Sequence, residues 1–249
     1  MKHVLANWKM YLDRSRAEEL FSAVQARLRD RFPSGPTAVS VVLCPPFVSL
    51  VSLRAATDPR LVRLGAQDCH WEREGPFTGE ISPTMLRGLV DYVLIGHSER
   101  RVAGDTDEQI AKKVAAVAGA ALTPILFVGE DEPTNAAIER TDQRLTAGLA
   151  GVDLSKHDVL IVYEPTWAIG AEEAAPADHV RGVAEHLKGR LQELGASEPR
   201  VIYGGTVTGD NVDQFAALEI LDGVGATRAS LDPDEFLRIV DRVARAAGD

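Results

Sequence analysis

Short apolar runs alternate with longer amphipathic stretches along the whole chain, and this rhythm organises everything else. His3 to Ala6, Thr37 to Leu43, Arg60 to Ala66, Tyr92 to Ile95, Leu122 to Val128, Asp158 to Tyr163, Arg200 to Tyr203 and Leu221 to Ala226 are brief runs with apolar, largely β-favouring cores. Each is long enough for one buried strand and too short for a helix. Between the first two, residues 16–30 place Leu20, Val24 and Leu28 at helical spacing with Arg, Glu and Asp between them. That pattern predicts a helix with one buried face. Further helices are predicted over Phe47 to Ala56, Thr106 to Gly119, Ala136 to Leu149, Asp178 to Leu194, Asp210 to Leu218 and Asp232 to Ala247. In the last, Asp232 is the expected N-cap, Pro233 the first helical residue and Glu235 the acid of a capping box. Gly65 to Glu80 breaks the rhythm as a polar loop carrying Trp71 and Phe77. A loop of this length without its own periodicity carries function or makes an interface.

Counted through, the pattern gives eight strand-led units, seven followed by a predicted helix and one by the polar loop, with no break in composition over residues 1–249. This is the arithmetic of an α/β fold, a single-domain (β/α)8 barrel. An open doubly wound sheet is the alternative, but it usually shows a GxGxxG after its first strand, where this chain has Asn7-Trp8-Lys9. Composition agrees with one large core, since 45% of the 249 residues are hydrophobic. The formal net charge of -10 argues against nucleic-acid or membrane-surface partners. Small anions remain open, because a few backbone N–H groups can hold them. The two cysteines, Cys44 and Cys69, form no CxxC, which favours a reducing compartment. No apolar run approaches a membrane span and MKHVLANWKM lacks a signal peptide's apolar region, so a cytoplasmic protein is expected.

The candidate chemistry lies at the strand ends. The run from Asp158 to Tyr163 stops abruptly at Glu164, because Pro165 cannot donate to a sheet ladder. In a barrel all strands end on one face, so Asn7, Lys9, His97, Glu164 and the Gly204-Gly205 pair converge although they are far apart in sequence. Shielded by the loop that ends in Gly170, Glu164 would be a base of raised pKa suited to taking a proton next to a carbonyl. His97 precedes Ser98-Glu99-Arg100-Arg101, which can start a helix. A positive helix terminus disfavours the imidazolium, leaving a neutral donor. Lys9 can offset anionic charge, and Gly204, Gly205, Thr206 and Gly170 allow close approach to a phosphate. Each residue alone has a plainer reading: a turn carboxylate, a histidine satisfied by backbone, a surface lysine with its stem on Trp8, a routine glycine turn. The six histidines show no HExxH or paired ligand spacing, so neither metal nor cofactor is expected.

Several segments carry a resemblance to a known family. NWKM at 7–10, GAQ and FTGEIS within 65–82, GHSERR at 96–101, VGE at 128–130, YEPTWAIG at 163–170 and YGGTV at 203–207 are similar to the signature segments of the triosephosphate isomerases, in order and in spacing. The resemblance implies an aldose–ketose isomerase of triose phosphates, acting in glycolysis and gluconeogenesis. Glu164 would shuttle a proton between adjacent carbons and His97 would act as electrophile at the oxygens. Asn7 and Lys9 would stabilise the enediolate, with Glu99 as supporting carboxylate. It also implies a homodimer through residues 65–82, with Thr78 reaching the neighbour's site. Those roles come with the resemblance and are not read from spacing.

The chain departs from the family in its distal pocket. Where the family's lid usually runs Gly-Thr-Gly-Lys, Gly170 is followed by Ala171-Glu172-Glu173-Ala174-Ala175-Pro176, one residue shorter and acidic at its tip. Carboxylates near a phosphate are unfavourable unless they face solvent. After the eighth strand the family has Gly-Gly, and this chain has Thr227-Arg228. Arg228 would replace backbone donors with a guanidinium fork, or point to solvent. Tyr11 and Phe127 stand where the family more often has a small polar residue and a cysteine. Two other readings therefore stay open: an isomerase of a four-carbon ketose phosphate, and a non-catalytic barrel that binds phosphorylated metabolites.

Overall fold

The computed structural model describes residues 1–134, 136–171 and 173–248. Its elements, in chain order, are β1 (Lys2–Asn7), α1 (Arg14–Arg31), β2 (Val39–Cys44), α2 (Leu50–Ala56), β3 (Arg63–Ala66), α3 (Pro83–Leu86), β4 (Tyr92–Ile95), α4 (Ser98–Val102), α5 (Asp107–Gly119), β5 (Thr123–Val128), α6 (Ala137–Gly148), β6 (Leu160–Tyr163), α7 (Ala177–Glu193), β7 (Arg200–Tyr203), α8 (Val212–Ala216), β8 (Gly223–Ala226) and α9 (Pro233–Ala247). The strands close into a barrel in chain order, β8 returning to pair in parallel with β1. The predicted (β/α)8 architecture is therefore the observed one.

Strand periodicity builds the barrel wall. Leu5, Val42, Leu94, Ile125, Phe127, Leu160, Val162 and Ile202 pack together as one buried cluster, the filling of the barrel. Their strand neighbours, such as Val4, Ala6, Val41, Val93, Leu126, Ile161 and Val201, belong to a second cluster shared with the helices. Alternation along each strand thus separates an inner from an outer core.

Element boundaries differ from expectation mainly at strand starts. The strand expected from Arg60 begins at Arg63, because Arg60 is held in a turn by Asp58, whose Oδ1 accepts from the Arg60 N–H at 3.1 Å. The helix expected over Asp210 to Leu218 shrinks to Val212–Ala216. Phe47 to Ala56 opens with a 3-10 turn over Phe47–Ser49. Two short helices add to the expected elements: α3, in residues that carried no expectation between the polar loop and β4, and α4, at the turn after His97 that can start a helix. At α9, Asp232 caps as expected, its Oδ1 accepting from the Asp234 and Glu235 N–H groups at 2.9 and 2.8 Å, with Pro233 following. The capping box does not form. Glu235 turns away, accepting from the Gly209 N–H at 2.6 Å and from Arg238 at 2.8 Å. Tying the loop after β7 to α9 satisfies that carboxylate better than the N-cap amide would.

No helix among the described residues is long and apolar enough to cross a membrane.

Candidate active site

The inward phase of the strands carries the polar residues into the barrel mouth. Asn7 lies two residues beyond inward-facing Leu5, and Glu164 two beyond inward-facing Val162. Each therefore faces the barrel axis at the carboxyl end, where the apolar filling stops. Glu164 keeps its backbone in the sheet, its N–H donating to the Val128 carbonyl at 2.7 Å. The crossing is close: a Cβ on Gly129 would meet the Glu164 carbonyl oxygen at 2.1 Å. Glycine is required there. β4 is instead followed by Gly96, whose φ of +74° turns the chain so that His97 enters the mouth as the N-cap of α4.

That cap settles the imidazole's hydrogens. His97 Nδ1 accepts from the Glu99 N–H at 3.1 Å, so Nε2 carries the proton of the neutral ring. Nε2 lies 3.1 Å from Glu164 Oε1. Burial pushes the His97 pKa down to about 4, reinforced by the Lys9 ammonium and opposed by Glu99. A neutral histidine was expected from the helix terminus. Burial is the larger cause, and the helix contributes chiefly by fixing the tautomer. Glu164 is 4% exposed, and burial pushes its carboxyl up to about 7 against the Ser98 donors and Lys9. Its second oxygen accepts from the Ser98 N–H at 3.0 Å.

Lys9 occupies a left-handed conformation, φ +47°, unusual for a residue with a β-carbon. Neighbours hold it there. Its N–H donates to Asn7 Oδ1 at 3.0 Å, its carbonyl accepts from Gln67 Nε2 at 2.9 Å, and its ammonium meets Glu99 Oε1 at 2.8 Å. Asn7, Lys9, His97 and Glu99 line one cleft of about 380 Å³. On the other side of Lys9, a cavity of about 240 Å³ is lined by Glu164, Gly170, Gly204, Gly205, Thr206, Thr227 and Arg228. Lys9 thus lines both cavities, and every candidate site residue lines one or the other. The Arg228 guanidinium makes no hydrogen bond or ion pair among the described residues. The Thr206 hydroxyl is engaged, donating to the Ala168 carbonyl at 2.8 Å.

The loop after Glu164 is pinned at both ends. Trp167 Nε1 donates to Glu130 Oε1 at 2.9 Å, and the Ala175 N–H donates to the Tyr203 hydroxyl at 3.0 Å. Glu130 is buried and also receives Tyr163 at 2.8 Å, with His179 Nε2 at 3.1 Å. Of the expected acidic tip, Glu173 is exposed, and Glu172 lies outside the described residues. Sequence reading missed Gln67, Ser98, Glu130 and Tyr203 as site-supporting residues. All four lie inside segments that were singled out, and Ser98 acts partly through its backbone N–H, which leaves no signature in residue type.

Fold and site together define a (β/α)8 barrel with a buried carboxylate, a neutral imidazole and an ammonium gathered at its carboxyl-end mouth, beside a cavity lined by glycines and a guanidinium. The family model described as triosephosphate isomerase matches residues 2–243. The chain is similar to the triosephosphate isomerase of Trichodesmium erythraeum, 38% identical over 242 residues covering 96% of this chain and 97% of that protein. Its similarity to that of Roseiflexus is 40% identity over 244 residues, 94% of each, and to that of Lactobacillus delbrueckii subsp. bulgaricus 37% over 248 residues, 96% of each. The chain belongs to the triosephosphate isomerase family, and it is an aldose–ketose isomerase.

Proposed function

We propose that this chain interconverts dihydroxyacetone phosphate and glyceraldehyde 3-phosphate, with Glu164 moving the proton and His97 serving the oxygens. One observation carries the reading: a carboxylate whose pKa is raised to about 7 stands 3.1 Å from an imidazole nitrogen that carries its hydrogen. The Glu164 carboxylate takes a proton from the carbon next to the carbonyl, and the C–H electron pair becomes the enediolate double bond. His97 Nε2–H donates to the oxygen on which charge develops and passes hydrogen between the two oxygens. Glu164 then returns its proton to the neighbouring carbon, so no atom is gained or lost. Lys9 and Asn7 offset the enediolate charge, and Glu99 holds the Lys9 ammonium at 2.8 Å. Substrate must displace the Ser98 and His97 contacts that now occupy the carboxylate.

The phosphate dianion would sit in the cavity of Gly170, Gly204, Gly205, Thr206, Thr227 and Arg228. Backbone N–H groups approach closely there, and the Arg228 fork adds charge-assisted bonds. The homodimer belongs to the same reading. Residues 65–82 present Phe77, 40% exposed, and Met10, 95% exposed, lines the open cleft beside His97. A second copy's loop, Thr78 included, would cover that cleft.

Turnover of dihydroxyacetone phosphate by purified protein, measured by coupling to consumption of glyceraldehyde 3-phosphate, tests the reading. Fast turnover that Glu164→Asp lowers by about a hundredfold, with inorganic phosphate still inhibiting, supports it. A protein that binds phosphate but shows no turnover would overturn it.

A further inference from the structure

We propose that Phe127 is a positioning residue of this site, its ring holding the His97 imidazole in place against Glu164. The inference rests on the isomerase reading above for its kinetic arm and on geometry for the rest. Phe127 belongs to the inner filling of the barrel, in register with Val162 on β6, two residues before Glu164. Its ring centroid lies 5.0 Å from that of His97, with the planes at 62°. This is the separation and tilt that aromatic pairs prefer. Phe127 also lines, with Gly96, Ser98 and Glu164, a cavity of about 290 Å³ behind the base.

The imidazole needs such a contact. A hydrogen bond from the Glu99 N–H fixes Nδ1, but once substrate displaces the Nε2 contact with Glu164, a ring held at Nδ1 alone can tilt about that bond. A flat ring packed at a steep angle removes that freedom, and it closes the barrel interior to water below both groups. Burial being the first cause of both pKa shifts fits a dry floor. Other charged groups lining the cavities beside the pair are Lys9 from the end of β1, Asp68 and Glu80 after β3, Glu99, Arg100 and Arg101 on α4, Asp131 after β5, Arg144 on α6 and Arg228 after β8. Each remains when the phenyl ring is removed, so a change on substitution reports the ring.

The plainer role for Phe127 is space filling, like Ile125 or Ile202 in the same cluster. Phe127→Ala and Phe127→Leu separate the two roles, the leucine variant preserving bulk should the alanine variant fail to fold. The expected result is a roughly tenfold to hundredfold fall in kcat, while KM and inhibition by inorganic phosphate stay within about twofold. The limb of the pH profile near 7 should move to lower pH. Nitrogen NMR of the His97 ring should change from a single Nε2–H tautomer to an averaged, more readily protonated imidazole. A loss confined to melting temperature, with kcat and the His97 spectrum unchanged, would overturn the proposal, as would KM rising in step with kcat falling. If the wild-type protein turns over no triose phosphate, the isomerase reading fails, and the nitrogen spectrum still decides the Phe127–His97 contact.

Discussion

The barrel buries a histidine at each mouth, and the two have the same depressed pKa, about 4, with burial as the leading cause. Each also stands edge-on to an aromatic ring, Tyr92 for His3 and Phe127 for His97, and the difference lies in their polar partners. At the amino end His3 lies edge-on to Tyr92, beside Arg200 and Asp222, and its Nδ1 has no hydrogen-bond partner among the described residues. At the carboxyl end His97 has Nδ1 fixed by a helix N–H and Nε2 at a carboxylate oxygen. One strand, β1, places His3 two residues before Leu5 and Asn7 two residues after it, so the same inward phase serves both mouths. Burial therefore supplies a neutral imidazole anywhere. A fixed tautomer and a reacting partner arise only where loops follow the strands. Arginines repeat the contrast: Arg200 pairs with Asp158 at 3.0 Å and Arg63 with Asp91 at 3.5 Å, whereas Arg228 at the other mouth has no described partner.

Swapping the two histidines tests this most severely. His97→Gln is expected to lower kcat by about a hundredfold or more, since general acid–base groups contribute on that scale. His3→Gln should leave kcat within about twofold. Comparable losses from both would break the comparison.

The next effect is on stability and has opposite signs at the two ends. His3 titrates lower in the fold than its ordinary 6.5. Its neutral form thus supports the fold fully above pH 6.5, and that support is lost as pH falls toward 4. Glu164 titrates higher than its ordinary 4.5. Its contribution is fully present below pH 4.5 and is lost as pH rises through 7. Urea unfolding at pH 8 should find Glu164→Gln more stable than wild type by on the order of 3 kcal/mol, a gain that vanishes near pH 4.5. His3→Gln should instead flatten the decline between pH 6.5 and 4. The proposed base is then a residue the fold tolerates at a cost, as functional sites often are.

The smallest predicted effect belongs to Arg228. Arg228→Ala is expected to raise KM for triose phosphate about tenfold and leave kcat nearly unchanged, the scale of one charge-assisted bond. An unchanged KM would return Arg228 to solvent and leave phosphate recognition to the glycines.

Much of this was legible in the chain. Short apolar runs closed by Gly, Pro or a charge mark the strands, and the convergence of strand ends in a barrel brings Asn7, Lys9, His97 and Glu164 together. Strand starts were less legible, because residues such as Arg60 read as strand by composition and are claimed by a turn carboxylate. Glu235 was read as a capping acid because local pattern favours it, but a loop amide from the β7 end of the barrel competes for the same carboxylate. The supporting residues around the site were the least legible. Gln67 and Ser98 act on the backbone of Lys9 and the carboxylate of Glu164 across distances in sequence that no local spacing records.

Residue order alone determined the strand-and-helix rhythm, the barrel arithmetic and which polar groups stand at the strand ends, because those depend on local hydrophobic period and on residue type at strand ends. Only the tertiary structure decided the His97 tautomer, the raised pKa of Glu164, the left-handed Lys9 and the aromatic floor at Phe127. Each of these depends on which distant groups are brought within a few ångströms and on how completely water is removed, and neither is encoded in any single stretch of the chain.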